Sequence, residues 1–164
     1  TEDTYEIKRD MRFNLLIFIV FLIFLLASCG AYASDENEEI FCLARNIYFE
    51  AGNQPLAGKL AVGHVVINRR NNGLFPNTIC EVVHDGGTRR NRCQFSWHCD
   101  GKSDTPTDSV TWMDSMVIAN RLLNSNSRLD ITEGSLWYHA DYVEPDWAYQ
   151  LKHKVTIGNH LFYR

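Results

Sequence analysis

The sequence predicts an α+β domain, mostly helical, with a small antiparallel sheet near its carboxyl end. Three observations predict it. Apolar residues recur at three- and four-residue steps from about residue 35 to residue 124, which is the helical period. Beyond Asp130 the texture changes to short aromatic and β-branched runs, the last two joined by Gly158-Asn159 in the manner of a tight hairpin. The 164 residues give room for one domain with a real core, and 45% apolar with 12% aromatic content excludes a disordered chain.

The first 33 residues belong to a different physical class. Lys8, Arg9 and Arg12 precede an apolar run from Phe13 to Ala27, and small residues follow. A basic start, a short greasy segment and a cleavage region are the outline of an export signal, and the run is short for a membrane span. Ala31-Tyr32-Ala33 offers a cleavage site that releases a chain starting at Ser34. Leu26-Ala27-Ser28-Cys29 offers a lipobox instead, with Cys29 lipidated, and an uncleaved amino-terminal membrane anchor is the third reading. Met11 stands where such a signal can begin, which leaves residues 1–10 as upstream sequence. The division expected is therefore 1–33 for signal or anchor and 34–164 for the exported domain, in the periplasm, the cell envelope or the medium.

Residues 35–50 read as the first helix, with Ile40, Leu43, Ala44 and Ile47 on its apolar face. Asp35, Glu36, Glu38 and Glu39 crowd its first turn, where the helix dipole favours acids, and Ser34 or Asn37 can cap it. A turn at Gly52-Asn53-Gln54 leads to Pro55, suited to a first helical position. The second helix runs to about Asn72, with Leu56, Leu60, Ala61, Val65 and Ile67 inward and Gly73 as its stop. Its small residues Ala57, Gly58 and Gly63 allow close approach, so it is expected to be the central buried helix. His64 reads as a hydrogen-bonded interior histidine, and Arg69-Arg70 as a solvated basic spot.

Thr78-Ile79-Cys80-Glu81 has the form of a capping box opening a short helix through Val83. Asp85-Gly86-Gly87-Thr88 is a loop, and Arg89, Arg90 and Arg92 form a second solvated basic spot. The segment from Cys93 to Lys102 is aromatic and polar without a helical period, a composition suited to lining a sugar cleft. Thr107 or Asp108 caps a helix to about Asn124, with Val110, Met113, Val117, Ala119, Leu122 and Leu123 inward. Leu136 to His139, Val155 to Ile157 and Leu161 to Tyr163 read as strands. Tyr142 to Trp147 forms an irregular aromatic loop.

Charge and cysteine usage narrow the function. A formal net charge of −4 leaves no basic footprint for nucleic acid. With Cys29 set aside, Cys42, Cys80, Cys93 and Cys99 form an even set in an oxidising compartment. Their pairing is open. A Cys93–Cys99 bridge would stiffen the short segment between them. Paired short spacings are absent, which argues against a cysteine zinc site, and the reading carries no metal and no cofactor.

One carboxylate stands out chemically. Glu50 ends the first helix, where unpaired carbonyls disfavour a negative charge, with Tyr48 and Phe49 beside it. Rings that exclude water push the same way, toward a carboxyl kept protonated near neutral pH, as a general acid must be.

The chain resembles the SleB-type cell wall hydrolases, the catalytic domain of spore-cortex-lytic enzymes that also occurs in many bacteria and bacteriophages. The matching pieces are Ala44-Arg45-Asn46-Ile47-Tyr48-Phe49-Glu50-Ala51, Gly58 through Asn68-Arg69, Phe75 through Cys80, Cys93-Gln94-Phe95-Ser96-Trp97 with Cys99-Asp100-Gly101, Tyr138 through Val143 with Pro145 and Trp147-Ala148, and Ile157 through Tyr163. Ala51-Gly52-Asn53-Gln54 departs from the family's frequent Ala-Arg-Gly-Glu. The resemblance implies a small lysozyme-like domain, peptidoglycan as substrate, and a catalytic acid at Glu50. On that basis Tyr48, Gln94, Phe95, Ser96, Trp97, Asp100, Tyr138, His139, Asp141, Tyr142, Trp147 and His160 are expected to bind glycan, in a monomer.

Glycosidic cleavage ordinarily needs two carboxylates, and no second acid lies within the Glu50 segment. Asp100, Asp104 and Asp141 are candidates. A lytic transglycosylase needs only one, because the muramic 6-hydroxyl is the nucleophile, and this is the activity expected. Two other classes stay in view: a zinc amidase using His139, His160 and an acid, and a non-catalytic glycan-binding module built on Phe95, Trp97, Trp137, Tyr138, Tyr142 and Trp147.

Overall fold

The computed structural model describes residues 35–87, 89–90, 92–124 and 129–164, together with 18–19. The chain divides into two compact units, 1–37 and 38–164, and nearly all of the described residues belong to the second. The expected signal or anchor, with Cys29, lies outside the described residues. Among the described residues no helix is long and apolar enough to cross a membrane.

Helix α1 occupies residues 35–51 and buries Ile40, Leu43, Ala44, Ile47 and Ala51, the face its period predicts. Helix α2, Leu56–Arg70, buries Gly58, Ala61, Val62, Gly63, Val65, Val66 and Arg69. Its inward stripe is rotated from the one expected: Leu56 is exposed, and Leu60 and Ile67 are only partly covered. Pro55 precedes the helix as its N-cap, and Asn71 rather than Gly73 closes it. A Cβ at Gly63 would collide with Leu122 Cδ1 and come within 3.3 Å of Ile47 Cδ1, so this glycine sets how closely the helices approach.

Helix α3, Ile79–Val83, forms as its capping box predicts: the Thr78 side chain accepts from the Glu81 backbone N–H. Glu39 of α1 adds a second cap, accepting from the backbone N–H groups of Ile79 at 2.8 Å and Cys80 at 3.2 Å. The Cys42–Cys80 disulfide pins the same two helices together.

Helix α4, Ser109–Asn124, is capped by Asp108, whose Oδ1 accepts from Thr111 N at 2.7 Å. Here the expected face is corrected. Val110, Met113 and Val117 are exposed, while Ser115, Ile118 and Ala119 are buried, with Trp112, Met116, Leu122 and Leu123 packed beside them. The helix carries two apolar stripes, and Ser115 hides the inner one from a pattern search. Its hydroxyl donates to Thr111 O at 2.8 Å, and that bond offsets the cost of burying a polar group.

The sheet contains β1 (Trp137–Ala140), β2 (His153–Ile157) and β3 (His160–Tyr163) in the order β1-β3-β2, all antiparallel. The β2–β3 hairpin turns at Gly158, whose φ of 61° is the left-handed conformation glycine adopts freely. Phe162 packs on Ala61 and Val65 of α2, which fixes the sheet against the central helix. Tyr138, paired with Phe162 across β1 and β3, is thereby delivered to the end of α1.

Candidate active site

A cleft of about 510 Å³ opens between the end of α1, residues 96–103 and the sheet. Glu50 and Phe49 line it from α1, Ser96, Trp97, Asp100, Lys102 and Ser103 from the central segment, and Tyr138, His139, Ala140, Tyr142 and His160 from the sheet side. Local chemistry sets each wall. A short 3-10 helix, Ser96–Cys99, turns the Trp97 ring inward, where it stacks on Phe49 at 4.8 Å. The Cys93–Cys99 disulfide, with Cα atoms 6.1 Å apart, closes the segment that carries these residues.

Glu50 and Tyr138 meet in the wall of the cleft. Burial pushes the Glu50 carboxyl above the ordinary range, opposed by a hydrogen bond from Tyr138 and by the charge of Arg69. The Tyr138 hydroxyl donates to Glu50 Oε2 at 3.0 Å, and burial holds that phenol protonated well beyond its usual range. The result is a carboxyl biased toward its protonated form, oriented by a neutral donor and open to a groove. Such a group can protonate a leaving oxygen and afterwards accept a proton.

Of the residues expected to bind glycan, Ser96, Trp97, Asp100, Tyr138, His139, Tyr142 and His160 line this cleft with Glu50. Gln94 and Phe95 line a smaller polar pocket of about 190 Å³ that Glu50, Ser96 and Tyr138 share. Tyr48, Asp141 and Trp147 are placed elsewhere. The Tyr48 hydroxyl accepts from the backbone N–H groups of Thr107 at 3.1 Å and Asp108 at 3.0 Å, so it secures the entry to α4. Asp141 lines a separate pocket of about 220 Å³. Trp147 lies edge-on to His139 and Tyr163, each at 5.6 Å.

The candidate second carboxylates separate in the same way. Asp100 lines the Glu50 cleft, where its Oδ1 accepts from Lys102 N at 2.8 Å and its Oδ2 lies 3.6 Å from Lys102 Nζ. Asp104 instead faces His98 Nδ1 at 3.5 Å. The zinc-ligand reading meets a geometric obstacle. His139 Nδ1 donates to the Ala140 carbonyl at 2.9 Å, which leaves Nε2 to accept from Tyr163 Oη at 2.9 Å, so both ring nitrogens are engaged. Among the described residues, no group of three His, Cys, Asp or Glu side chains is arranged to hold a metal ion.

Arg69 reads as a solvated residue in the sequence and is instead 2% exposed. Its Nε donates to the Leu136 carbonyl at 2.7 Å, and its guanidinium lies over Phe75 and Phe95 at 5.3 and 5.2 Å. The signal is present in the chain: Arg69 falls in phase with Val62, Val65 and Val66 on the buried stripe of α2. Asn46 is a second support that the sequence pattern does not single out. Fully buried one turn before Glu50, it accepts from Trp97 Nε1 at 3.1 Å. His64 is partly buried, with Nδ1 3.8 Å from Asp130 Oδ1, a charge contact longer than the hydrogen bond expected of it.

Comparison with known proteins agrees with this architecture. The family model described as Cell Wall Hydrolase matches residues 53–163, beginning three residues after Glu50. The spore cortex-lytic enzyme of Bacillus subtilis is 26% identical over 127 residues, which are 77% of this chain and 37% of that protein. That of Oceanobacillus iheyensis is 26% identical over 128 residues, 77% of this chain and 41% of that protein. The chain thus spans less than half the length of these relatives. Among solved structures, the catalytic domain of the germination-specific lytic transglycosylase SleB from Bacillus anthracis superposes with a TM-score of 0.60 at 27% identity, covering 77% of this chain and 93% of that one. The catalytic domain of the Bacillus cereus SleB protein superposes with a TM-score of 0.58 at 23% identity, over 78% of this chain and 91% of that one, a likeness of fold. The α+β arrangement is accordingly the lysozyme-like one expected. By the family model that matches most of its length, the chain belongs to the Cell Wall Hydrolase family.

Proposed function

We propose that this protein cleaves the glycan strand of peptidoglycan as a lytic transglycosylase, with Glu50 as its acid and then its base. The observation that carries the reading is the Glu50 carboxyl: half-buried, biased toward protonation by desolvation, held by Tyr138 and lining a cleft of about 510 Å³. In the proposed cycle Glu50 gives its proton to the glycosidic oxygen as the anomeric C–O bond breaks. The muramic 6-hydroxyl oxygen bonds to the anomeric carbon, and its proton passes to the Glu50 carboxylate. The products are a 1,6-anhydro end and a free hydroxyl on the departing sugar, and Glu50 is restored. One carboxyl serves both steps, so the pairing of Asp100 with Lys102 does not hinder the chemistry.

The relatives support the reading through their printed activities, a spore cortex-lytic enzyme and a germination-specific lytic transglycosylase. Peptidoglycan lies outside the cytoplasmic membrane, so the activity requires export, which residues 1–33 are proposed to direct. Mass spectrometry of muropeptides released from purified walls tests the proposal. Anhydro-muramic ends are expected. Reducing ends would identify a hydrolase with water as nucleophile, and released free peptide with intact glycan would identify an amidase.

A further inference from the structure

We infer that Arg69 is a positioning residue for the Glu50 carboxyl, holding the strand that carries Tyr138 and supplying a fixed positive charge behind the cleft. The inference rests on the proposed role of Glu50. Arg69 lies in the last turn of α2, yet it is 2% exposed. Burying a guanidinium is costly unless its donors and faces find partners. Here Nε bonds the Leu136 carbonyl at 2.7 Å, and with the Gln94 amide turned to the orientation that satisfies both of its ends, the two terminal nitrogens donate to its oxygen at 3.1 Å each. Phe75 and Phe95 cover the guanidinium at 5.3 and 5.2 Å.

None of these four contact partners carries a charge. The cation is therefore anchored by neutral groups, the carboxylates whose charges reach it are Asp85 and Glu50, and it borders the small polar pocket that also contains Glu50, Gln94, Ser96 and Tyr138. The anchor has a second effect. Leu136 sits one residue before β1 and two before Tyr138, so the bond to its carbonyl fixes the strand that presents the phenol to Glu50. Because Leu136 N also donates to Tyr163 O at 2.9 Å, the start of the strand is held from both sides.

Electrostatics agree with the geometry. Burial lowers the Arg69 pKa to about 10, so the side chain is cationic throughout the neutral range. Its charge pulls the Glu50 carboxyl down against the upward push of burial. The other titratable groups lining the cleft with Glu50 are Tyr138 and His139 from β1, Tyr142 just after it, His160 from β3, and Asp100 and Lys102 after the 3-10 helix. Asp85 and Tyr138 act on Arg69 itself. A general acid works while protonated, so ionisation of Glu50 sets the alkaline limb of activity. Removing the cation disfavours that ionisation and should move the limb upward.

The test compares pH profiles of peptidoglycan cleavage for the full chain, Arg69→Gln and Arg69→Lys, with the Glu50 carboxyl titrated by carbon NMR. Arg69→Gln is expected to raise the limb and the NMR midpoint by about one pH unit, the scale for an opposite charge near a carboxyl. Arg69→Lys keeps the charge and should leave both near the parent values, though at a reduced rate. A uniform loss of rate with an unmoved limb and midpoint would overturn the inference, leaving Arg69 as packing alone. If Arg69→Gln does not fold, Arg69→Met keeps a side chain of similar length without the charge, and an unmoved midpoint in that variant would overturn it equally. Full activity in Glu50→Gln would instead remove the role of Glu50, while the NMR midpoint still reports whether Arg69 acts on that carboxyl.

Discussion

The indole of Trp97 donates to the amide oxygen of Asn46 at 3.1 Å, tying the cleft-lining 3-10 helix to α1 one turn before Glu50. The bond is buried, and Trp97 also stacks on Phe49, the residue adjoining the acid. Packing and hydrogen bonding thus set the distance between the two walls of the cleft. Asn46→Ala leaves the indole N–H buried without its partner, a loss of about 1–3 kcal/mol. A lower urea midpoint with an unchanged denaturant slope is the expected measurement. A midpoint equal to the parent's would show that the bond contributes nothing.

Tyr138→Phe isolates the hydroxyl that touches Glu50. This hydrogen bond favours the ionised carboxyl, so its removal leaves the burial effect less opposed and raises the Glu50 pKa further. The alkaline limb of activity should therefore move up, by about one pH unit for a bond to a charged group. The ring still packs on Phe162, so thermal stability should change little. An alkaline limb that stays fixed or moves down would refute the assignment of Tyr138 as a donor to this carboxyl.

The first helix and the place of Glu50 near its end are legible in the sequence because both obey local rules: a clean apolar period, acids crowding the first turn, and one carboxylate at the far end. The capping box at Thr78 and the Gly158-Asn159 hairpin are legible for the same reason. Features that escape a sequence reading depend on contacts between distant segments. Arg69 reads as a surface residue until Phe75, Phe95 and Leu136 surround it, and Tyr48 reads as a cleft residue until Thr107 and Asp108 claim its hydroxyl. On α4 the pattern itself misleads, since Val110, Met113 and Val117 repeat at helical spacing as well as the buried stripe does.

The two disulfides should separate stability from activity. Cys42–Cys80 links residues 38 apart, and closing such a loop in the unfolded chain stabilises the fold by about 4 kcal/mol on the chain-entropy account. Cys93–Cys99 spans a separation of 6, for about 2 kcal/mol, but it encloses Gln94, Ser96 and Trp97. Serine replacement of the first pair is expected to cost more stability, read from urea midpoints. Replacement of the second should cost more activity at a temperature where both variants remain folded. The reverse ranking in either assay would contradict this division of labour.

Glu50→Gln is expected to be folded and inactive, and its stability should report the strain that an ionised Glu50 places on the fold. A buried carboxyl with a raised pKa binds its proton more tightly in the folded state than in the unfolded chain. Between the unfolded and folded pKa values the folded state therefore holds more protons, and stability falls as pH rises through that window. Below the ordinary glutamate range both states are protonated and the effect is absent. Glutamine has the shape of the protonated acid and no titration, so the melting temperature of the variant relative to the parent should be nearly level at low pH. It should rise in the variant's favour toward pH 8, while cleavage falls by at least about 100-fold, the scale for loss of a general acid. A stability difference that stays constant with pH would mean that Glu50 titrates as it does in water, and the protonated acid on which the proposed chemistry depends would be lost with it.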